Sequence, residues 1–220
     1  MCGRFVCSSP LREISEAFGV QLPSLDFKPS YNTAPTQKIL IINNEGKKQI
    51  VYCKWGFVPS WAKDFSIGNR MINARAETVA TKPAFRSAFK KRRCLIIANG
   101  FFEWLTEGRR KVPVYIKLKS DKLFGFAGLY NTWISPEGEA VCTCTIITTE
   151  ANELLSEVHD RMPVIVPRDK EDYWLDPKNE DYEGLIAMLK PYPPREMDYY
   201  RVSPRVNSPA FNLPENVEPL

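Results

Sequence analysis

Apolar and polar residues alternate over much of the chain, and this period-two pattern predicts a protein built mainly of β-strands. One hairpin is predicted where KILII (38–42), the turn NNEG and KKQIVYCKWGF (47–57) follow one another. A second hairpin is predicted over FFEWLTEGRRKVPVYIKLK (101–119), around its EGRR turn. Further strands are predicted at RCLIIAN (93–99), LFGFAGLYN (123–131), AVCTCTIIT (140–148) and MPVIV (162–166).

Helical spacing is confined to short segments. The first helix is predicted to begin at the SP pair (9–10) and to end at Gly19, with an apolar stripe formed by Leu11, Ile14 and Phe18. Other short helices are predicted at PAFRSAFKKR (83–92), near 169–175 and near 181–190.

The last third of the chain combines one more helix with an irregular tail. EANELLSEV (150–158) is predicted as a helix that Thr148 or Thr149 caps and that ends at His159. Seven of the 18 prolines fall within 191–219, so residues 191–220 are predicted to form an irregular tail packed on the body. Because strand outweighs helix, the predicted class is α+β with a β-rich core.

Composition adds a setting to this fold class. The 220 residues are 44% hydrophobic and 25% charged, which is typical of a globular chain with one substantial core. We find no repeat and no low-complexity linker, so we expect a single domain over 1–220. No apolar stretch reaches membrane-spanning length, and MCGRFVCSSPLREISEAF lacks the basic start and apolar run of a signal peptide. We therefore expect a cytoplasmic protein.

The cysteines and the single histidine argue against a metal site. The six cysteines, at positions 2, 7, 53, 94, 142 and 144, include no Cys-x-x-Cys pair. With one histidine, a zinc cage is disfavoured, and we expect no cofactor. Cys142 and Cys144 share one face of a predicted strand, and we expect both to be reduced thiols of the core.

The net charge of +4 is mild, but it is concentrated in KKRR (90–93) and GRRK (108–111). Such clusters suit a partner that carries phosphates. They are also typical of ordinary solvated faces, so charge alone supports nucleic-acid binding weakly.

Cys2 directly follows the initiator methionine. Because cysteine is small, Met1 can be removed, which leaves an α-amine and a thiol on one residue. With pKa values near ~7.7 and ~8.5, both groups are partly nucleophilic at neutral pH. The alternative is an incidental residue in a disordered terminus.

Three further positions carry candidate chemistry. Glu103 in GFFEW shares a strand face with apolar neighbours; if it points inward its pKa is raised, and the alternative is the solvent face. His159 in EVHDRMPV lies at a helix-to-strand junction, where it is either a tuned proton carrier or an ordinary satisfied histidine. NARAET (73–78) places polar residues on alternate positions of an extended segment, which also fits an exposed edge strand.

Several ordered motifs together resemble the SRAP family of abasic-site processing proteins. The ending VSPRVNSPAFNLPENVEPL is also similar to that of the family, so the resemblance covers essentially the whole chain. The motifs are MCGRF, YNTAPTQ (31–37), WGFVPSWAKD (55–64), MINARAET (71–78), ANGFFEW (98–104), TIITTEAN (145–152) and VHDRMPV (158–164).

The resemblance implies a sensor of abasic sites in single-stranded DNA, with a curved, antiparallel, barrel-like sheet and short peripheral helices. It further implies a monomer that associates with the nucleoid when bound to DNA. The implied catalytic residues are Cys2, Asn73, Glu103 and His159. The implied DNA-backbone ligands are Arg4, Arg75, Thr148 and Arg161, with Trp61 as a base-stacking element.

The implied chemistry joins DNA to the protein. The α-amine of Cys2 condenses with the C1′ aldehyde of an opened abasic sugar, and the thiol then closes a five-membered thiazolidine. Glu103 moves protons during addition and dehydration, His159 assists at the sugar oxygen, and Asn73 holds the amine without protonating it.

Three other functions remain open from the sequence. N-terminal-nucleophile glutamine amidotransferases also begin Met-Cys-Gly, and Asn99 with Gly100 could imitate their oxyanion pair. The chain could instead be a DNA-binding module in which Cys2 is incidental. A cysteine peptidase, which could remove its own Met1, is the third alternative.

Overall fold

The computed structural model describes residues 2–220. This part of the chain forms thirteen strands: β1 (Phe5–Cys7), β2 (Ser30–Thr33), β3 (Lys38–Asn44), β4 (Lys48–Trp55), β5 (Asn73–Arg75), β6 (Arg93–Ala98), β7 (Gly100–Glu107), β8 (Arg110–Leu118), β9 (Phe124–Ile134), β10 (Ala140–Glu150), β11 (Arg161–Pro163), β12 (Ile165–Val166) and β13 (Met197–Arg201).

The helices are short and lie between the strands. The predicted first helix is present and Gly19 ends it in the left-handed conformation with φ of 61°, but its N-cap is Pro10 rather than Ser9, and no side chain caps it. The α-helices are α1 (Leu11–Phe18), α2 (Arg86–Lys91), α3 (Glu153–Ser156), α4 (Glu171–Leu175) and α5 (Tyr182–Ala187), with short 3-10 helices at Phe65–Arg70, Arg168–Lys170, Pro194–Glu196, Pro204–Asn207 and Pro214–Val217.

The larger sheet closes on itself. Its strands pair in the order β10-β4-β3-β6-β9, and β9 pairs again with β10, so these five strands form a barrel. β5 and β11 extend the sheet beside β10, and β12 extends it beside β9. The predicted α+β class with a β-rich, barrel-like core is confirmed. β10 runs parallel to β4 and β5, however, so the sheet is mixed rather than antiparallel.

The second sheet has five antiparallel strands in the order β13-β8-β7-β1-β2. Phe5 and Phe101 of this sheet belong to the main core, and both pack edge-on against Phe126 of the barrel. The opposite face carries a smaller apolar cluster, in which Val202 and Val206 of the C-terminal tail cover Phe102. The sheet is therefore buried on both faces.

Two local predictions are wrong. α3 is shorter than predicted and is capped by Asn152, whose side chain accepts from the backbone N–H of Leu155. Thr148 and Thr149 instead continue β10, because a β-branched residue packs well in a central strand. The tail predicted to be irregular contains β13, which pairs with β8.

The expectation of a reduced thiol is also wrong for Cys142, which forms a disulfide with Cys53. The parallel pairing of β4 with β10 sets Thr143 opposite Lys54, and the same register sets these two cysteines opposite each other. Their Cα atoms are 4.7 Å apart, within the range that a disulfide spans. Cys144, as expected, is a free thiol in the core.

Throughout residues 2–220, every helix is too short or too polar to cross a membrane.

Candidate active site

Cys2 lies just before β1 and is fully buried. β1 is antiparallel to β7, with Phe5 opposite Phe101. The same register, continued toward the start of the chain, brings Glu103 opposite Gly3 and hence beside Cys2. Burial raises the pKa of the Cys2 thiol, and the nearby Glu103 carboxylate raises it further. The thiol therefore needs a base before it can act as a nucleophile.

Glu103 points inward, as one interpretation of GFFEW predicted. It is 5% exposed, and its cross-strand partner is the buried Val114. Burial raises the pKa of Glu103 to about 7, and the charge of Asp160 adds to this shift. A carboxyl group with this pKa is present in both forms near neutral pH, so it can both accept and donate a proton.

Asn73 binds the main chain of Cys2 from the other sheet. β5 holds Asn73 beside Ile146 of β10, and its Nδ2 donates to the carbonyl oxygen of Cys2 at 2.9 Å. Its Oδ1 is buried and accepts no hydrogen bond from any residue of 2–220. A buried amide oxygen without a donor is costly, so this acceptor is suited to an N–H group delivered close to Cys2.

His159 lies between α3 and β11, as predicted. Its Nδ1 is 2.9 Å from the backbone nitrogen of Arg161 and 2.7 Å from Oδ1 of Asp160. One ring nitrogen cannot accept from the amide and donate to the carboxylate at once. Burial lowers the pKa of His159, although Asp160 opposes this shift. We therefore assign a neutral ring that accepts the amide hydrogen at Nδ1 and carries its proton on Nε2.

Arg161 is bound by protein groups on two sides. Its Nη1 and Nη2 contact the two carboxylate oxygens of Glu77 at 2.5 and 3.0 Å, and Nη2 also donates to the carbonyl oxygen of Thr148 at 2.6 Å. The hydrogen bond from Arg161 is the main cause that lowers the pKa of Glu77. Thr148 is fully buried, whereas Arg75 is exposed beside Glu77.

The remaining predicted DNA contacts lie toward the surface. Arg4 is half-buried, and its guanidinium contacts the C-terminal tail at the carbonyl oxygens of Val206 and Asn207.

Trp61 is 60% exposed in the turn that follows β4. Gly56 begins this turn with φ of +140°, and a side chain there would collide with the Gly68 carbonyl oxygen. Glycine is thus required for the close approach that shapes the segment.

The structure brings the four predicted catalytic residues to one place. Asn73 contacts Cys2 directly, the Glu103 carboxylate acts on the pKa of the Cys2 thiol, and Asp160, next to His159, acts on that of Glu103. Within residues 2–220, no group of three or more His, Cys, Asp or Glu side chains could hold a metal ion.

Sequence reasoning missed two charged residues near this centre. The positive charge of Lys111 lowers the pKa of both Glu103 and His159, so Lys111 lies close to them. The GRRK cluster contains Lys111, but nothing in the sequence indicates that the hairpin carries it there. Glu77 lies within NARAET, but the sequence does not indicate its pairing with Arg161, which depends on tertiary contacts.

Asn99 does not sit where an oxyanion role would need it. Its Oδ1 accepts from the backbone N–H of Ser8 at 2.8 Å, and its Nδ2 donates to Ser9 Oγ. This amide therefore fixes the end of β1 that is distant from Cys2, about six residues or ~20 Å along an extended chain. The geometry gives no support to the amidotransferase alternative.

Comparisons with known proteins show the family to which the chain belongs. The chain is 49% identical over 222 residues to the abasic site processing protein YoqW of Bacillus subtilis, covering 99% of each chain. It is 32% identical to the abasic site processing protein YMR114C of Saccharomyces cerevisiae, over 88% of this chain and 54% of the yeast protein. A crystal structure of a protein from Bacteroides thetaiotaomicron matches with a TM-score of 0.90 at 30% identity, covering 100% of both chains. Residues 1–209 match the family described as SOS response associated peptidase (SRAP), and the chain belongs to that family.

Proposed function

We propose that this protein processes abasic sites in single-stranded DNA by linking itself covalently to them through Cys2. Relatives at 49% and 48% identity are named abasic site processing proteins. The observation that carries the proposal is the pairing of the buried Cys2 with a carboxyl group, Glu103, whose pKa is about 7. We further propose that the protein acts as a cytoplasmic monomer.

The reaction begins once Met1 has been removed and the α-amine of Cys2 is free. The amine nitrogen attacks C1′ of the opened abasic sugar, and the resulting carbinolamine loses water to give an imine. The new amine presents additional N–H groups, and the buried Oδ1 of Asn73 is an acceptor suited to one of them. This hydrogen bond holds the amine without protonating it, which keeps its lone pair available.

Ring closure then removes the imine. The Cys2 sulfur adds to C1′ and its proton passes to the imine nitrogen, so the product is a thiazolidine and one water is lost overall. Burial keeps the Cys2 thiol protonated, so a base must take its proton as the C–S bond forms. Glu103 suits this role because it has access to both protonation states near neutral pH.

His159 and the arginines have supporting roles. With its proton on Nε2, the neutral His159 donates a hydrogen bond to the sugar oxygen as the hemiacetal opens. Arg4, Arg75 and Arg161 are proposed ligands of the phosphates, and the exposed Trp61 is a platform for an adjacent base. Thr148 is fully buried, so its proposed part is to hold the Arg161 guanidinium through its carbonyl oxygen. These contacts carry no sequence information, which suits a lesion sensor.

The direct test is the intact mass of the protein after mixing with a single-stranded oligonucleotide that carries one abasic site. We expect a 1:1 adduct whose mass is the sum of the two molecules minus one water. Undamaged DNA of the same sequence should give none. Mature protein that has lost Met1 and still forms no adduct would refute the proposal.

Cys2→Ser separates the imine from the ring. Serine is also small, so Met1 should still be removed and the amine should still condense with the aldehyde. The hydroxyl is a poor nucleophile, so we expect an adduct that survives denaturation only after borohydride reduction. An equally stable adduct without borohydride would exclude the thiazolidine.

A further inference from the structure

The C-terminal tail contacts the strands that carry the candidate active site through one buried amide. Asn32 on β2 is 1% exposed, and its Nδ2 lies 3.1, 2.9 and 2.8 Å from the carbonyl oxygens of Val206, Ser208 and Phe211. The Oδ1 of Asn32 accepts from Nη1 of Arg4 at 2.7 Å. One side chain therefore joins residues 206–211 to Arg4.

Arg4 is also bound directly by the tail. Its Nη1 donates to the carbonyl oxygen of Val206 at 2.7 Å, and its Nη2 donates to that of Asn207 at 3.2 Å. Asn207 in turn accepts at its Oδ1 from the indole nitrogen of Trp104 at 2.7 Å. The tail thus holds the residue two positions after Cys2 and the residue directly after Glu103.

These contacts leave one edge of the guanidinium available. The group has five N–H donors, of which Asn32 and the tail take both on Nη1 and one on Nη2. Within residues 2–220, the donors on Nε and the second position of Nη2 have no protein acceptor. Two adjacent N–H groups of this kind match two oxygens of one phosphate.

We propose that Asn32 and tail residues 206–211 are a positioning element that fixes Arg4 so that its Nε–Nη2 edge binds a phosphate next to the abasic nucleotide. This inference rests on the proposed function. A free arginine loses most of its rotamer freedom when it binds a phosphate, whereas Arg4 has lost that freedom before DNA arrives. Asn32 is a positioning residue, because it acts on DNA only through Arg4.

A double-mutant cycle tests this assignment. Cross-linking rates are measured against DNA concentration and salt for the parent, Arg4→Ala, Asn32→Ala and the double variant. We expect each single variant to need more DNA for half-maximal rate, to keep its maximal rate within about twofold, and to lose about one unit of salt slope. Asn32→Ala should cost nothing further once Arg4 is absent.

Asn131→Ala is the matched control, because Asn131 is also a buried amide that joins an arginine, Arg92, to a carbonyl, that of Val58. Asn131→Ala and Asn32→Ala should both lower the melting temperature, but Asn131→Ala should leave the salt slope unchanged. Arg4→Lys leaves the buried Asn32 unaltered and keeps the positive charge at position 4. Lysine, however, lacks the planar guanidinium group that the tail binds. We expect Arg4→Lys to weaken DNA binding as Asn32→Ala does.

Two results of the double-mutant cycle would each overturn the positioning role: an unchanged salt slope in Asn32→Ala, or a further loss when Asn32→Ala is added to Arg4→Ala. Parental DNA binding by Arg4→Lys would also overturn it, because charge alone would then suffice. If the parent itself forms no adduct, the proposed function fails instead, so the two failures are distinguishable.

Discussion

The two sheets contribute different halves of the candidate active site. The five-stranded sheet supplies the groups proposed to react: Cys2 before β1 and Glu103 on β7, both buried among apolar side chains. The eight-stranded sheet supplies mainly hydrogen bonds and charge, through Asn73 on β5 and the paired Arg161 and Glu77. One half therefore sets reactivity by excluding water, and the other half sets position.

This difference predicts which changes abolish the chemistry and which only weaken it. In the reactive half, raised pKa values follow from burial, and Glu103 is the carboxyl group beside Cys2 whose pKa lies near neutrality. In the positioning half, several hydrogen bonds act on the same residues, so the loss of one leaves the others in place. Effects should therefore fall in size from the first half to the second.

The largest effect is expected from blocking the amine of Cys2. An extra residue placed ahead of Cys2, and kept in the purified protein, converts the amine into an amide that cannot form an imine. We expect no adduct with abasic DNA by denaturing gel or intact mass, while the melting temperature stays close to that of the parent. The same extension at the C-terminus is the control. An adduct from the blocked protein would move the nucleophile to another residue.

Glu103→Gln should slow cross-linking by roughly 10²–10⁴-fold, the usual contribution of one general acid–base. The same substitution should also stabilise the folded protein above neutral pH. The folded-state pKa of Glu103, about 7, lies above its unfolded value, so burial favours the protonated form. Its contribution to stability is present below the unfolded pKa and is lost as pH rises through about 7.

The predicted difference in stability between Glu103→Gln and the parent is measured by thermal unfolding at two pH values. Near pH 8 Glu103→Gln should gain at most about 3 kcal/mol over the parent, and near pH 4 the two should be alike. A variant that is slower but equally stable at both pH values would contradict the buried, near-neutral carboxyl group. Cross-linking at the parental rate would place the proton carrier elsewhere.

The reactive half could be predicted from the sequence far better than the positioning half. The alternation of apolar and polar residues around GFFEW predicts that the Glu103 side chain points either into the core or toward solvent. One of these two orientations is correct, because strand periodicity depends only on the local sequence. The disulfide between Cys53 and Cys142 was not predictable, because it depends on the parallel register of β4 and β10. The partners of Arg161 and Arg4 were missed for the same reason.

Asn73→Ala should lower the cross-linking rate by about tenfold. The variant loses the hydrogen bond to the Cys2 carbonyl and the acceptor proposed for the amine, and a net hydrogen bond is worth about 1 kcal/mol. Single-turnover rates at saturating DNA measure this loss. Asn73→Asp serves as the comparison, since a carboxylate would favour the protonated amine and shift the rate profile to higher pH. A rate within twofold of the parent for both variants would remove Asn73 from the mechanism.

The smallest effect is expected where the positioning half carries an exposed ion pair. Glu77 is half-exposed and neutralises Arg161, so Glu77→Gln should change stability by no more than about 1 kcal/mol. If Arg161 binds a phosphate, the variant releases its guanidinium and should bind abasic DNA about threefold more tightly, with about one more unit of salt slope. Glu16→Gln on α1 makes the same change in net charge at an exposed helix position and is the matched control. Equal gains in both variants would reflect net charge alone. No gain in Glu77→Gln, together with a lower melting temperature, would assign Arg161 to holding Glu77 and Thr148 rather than DNA.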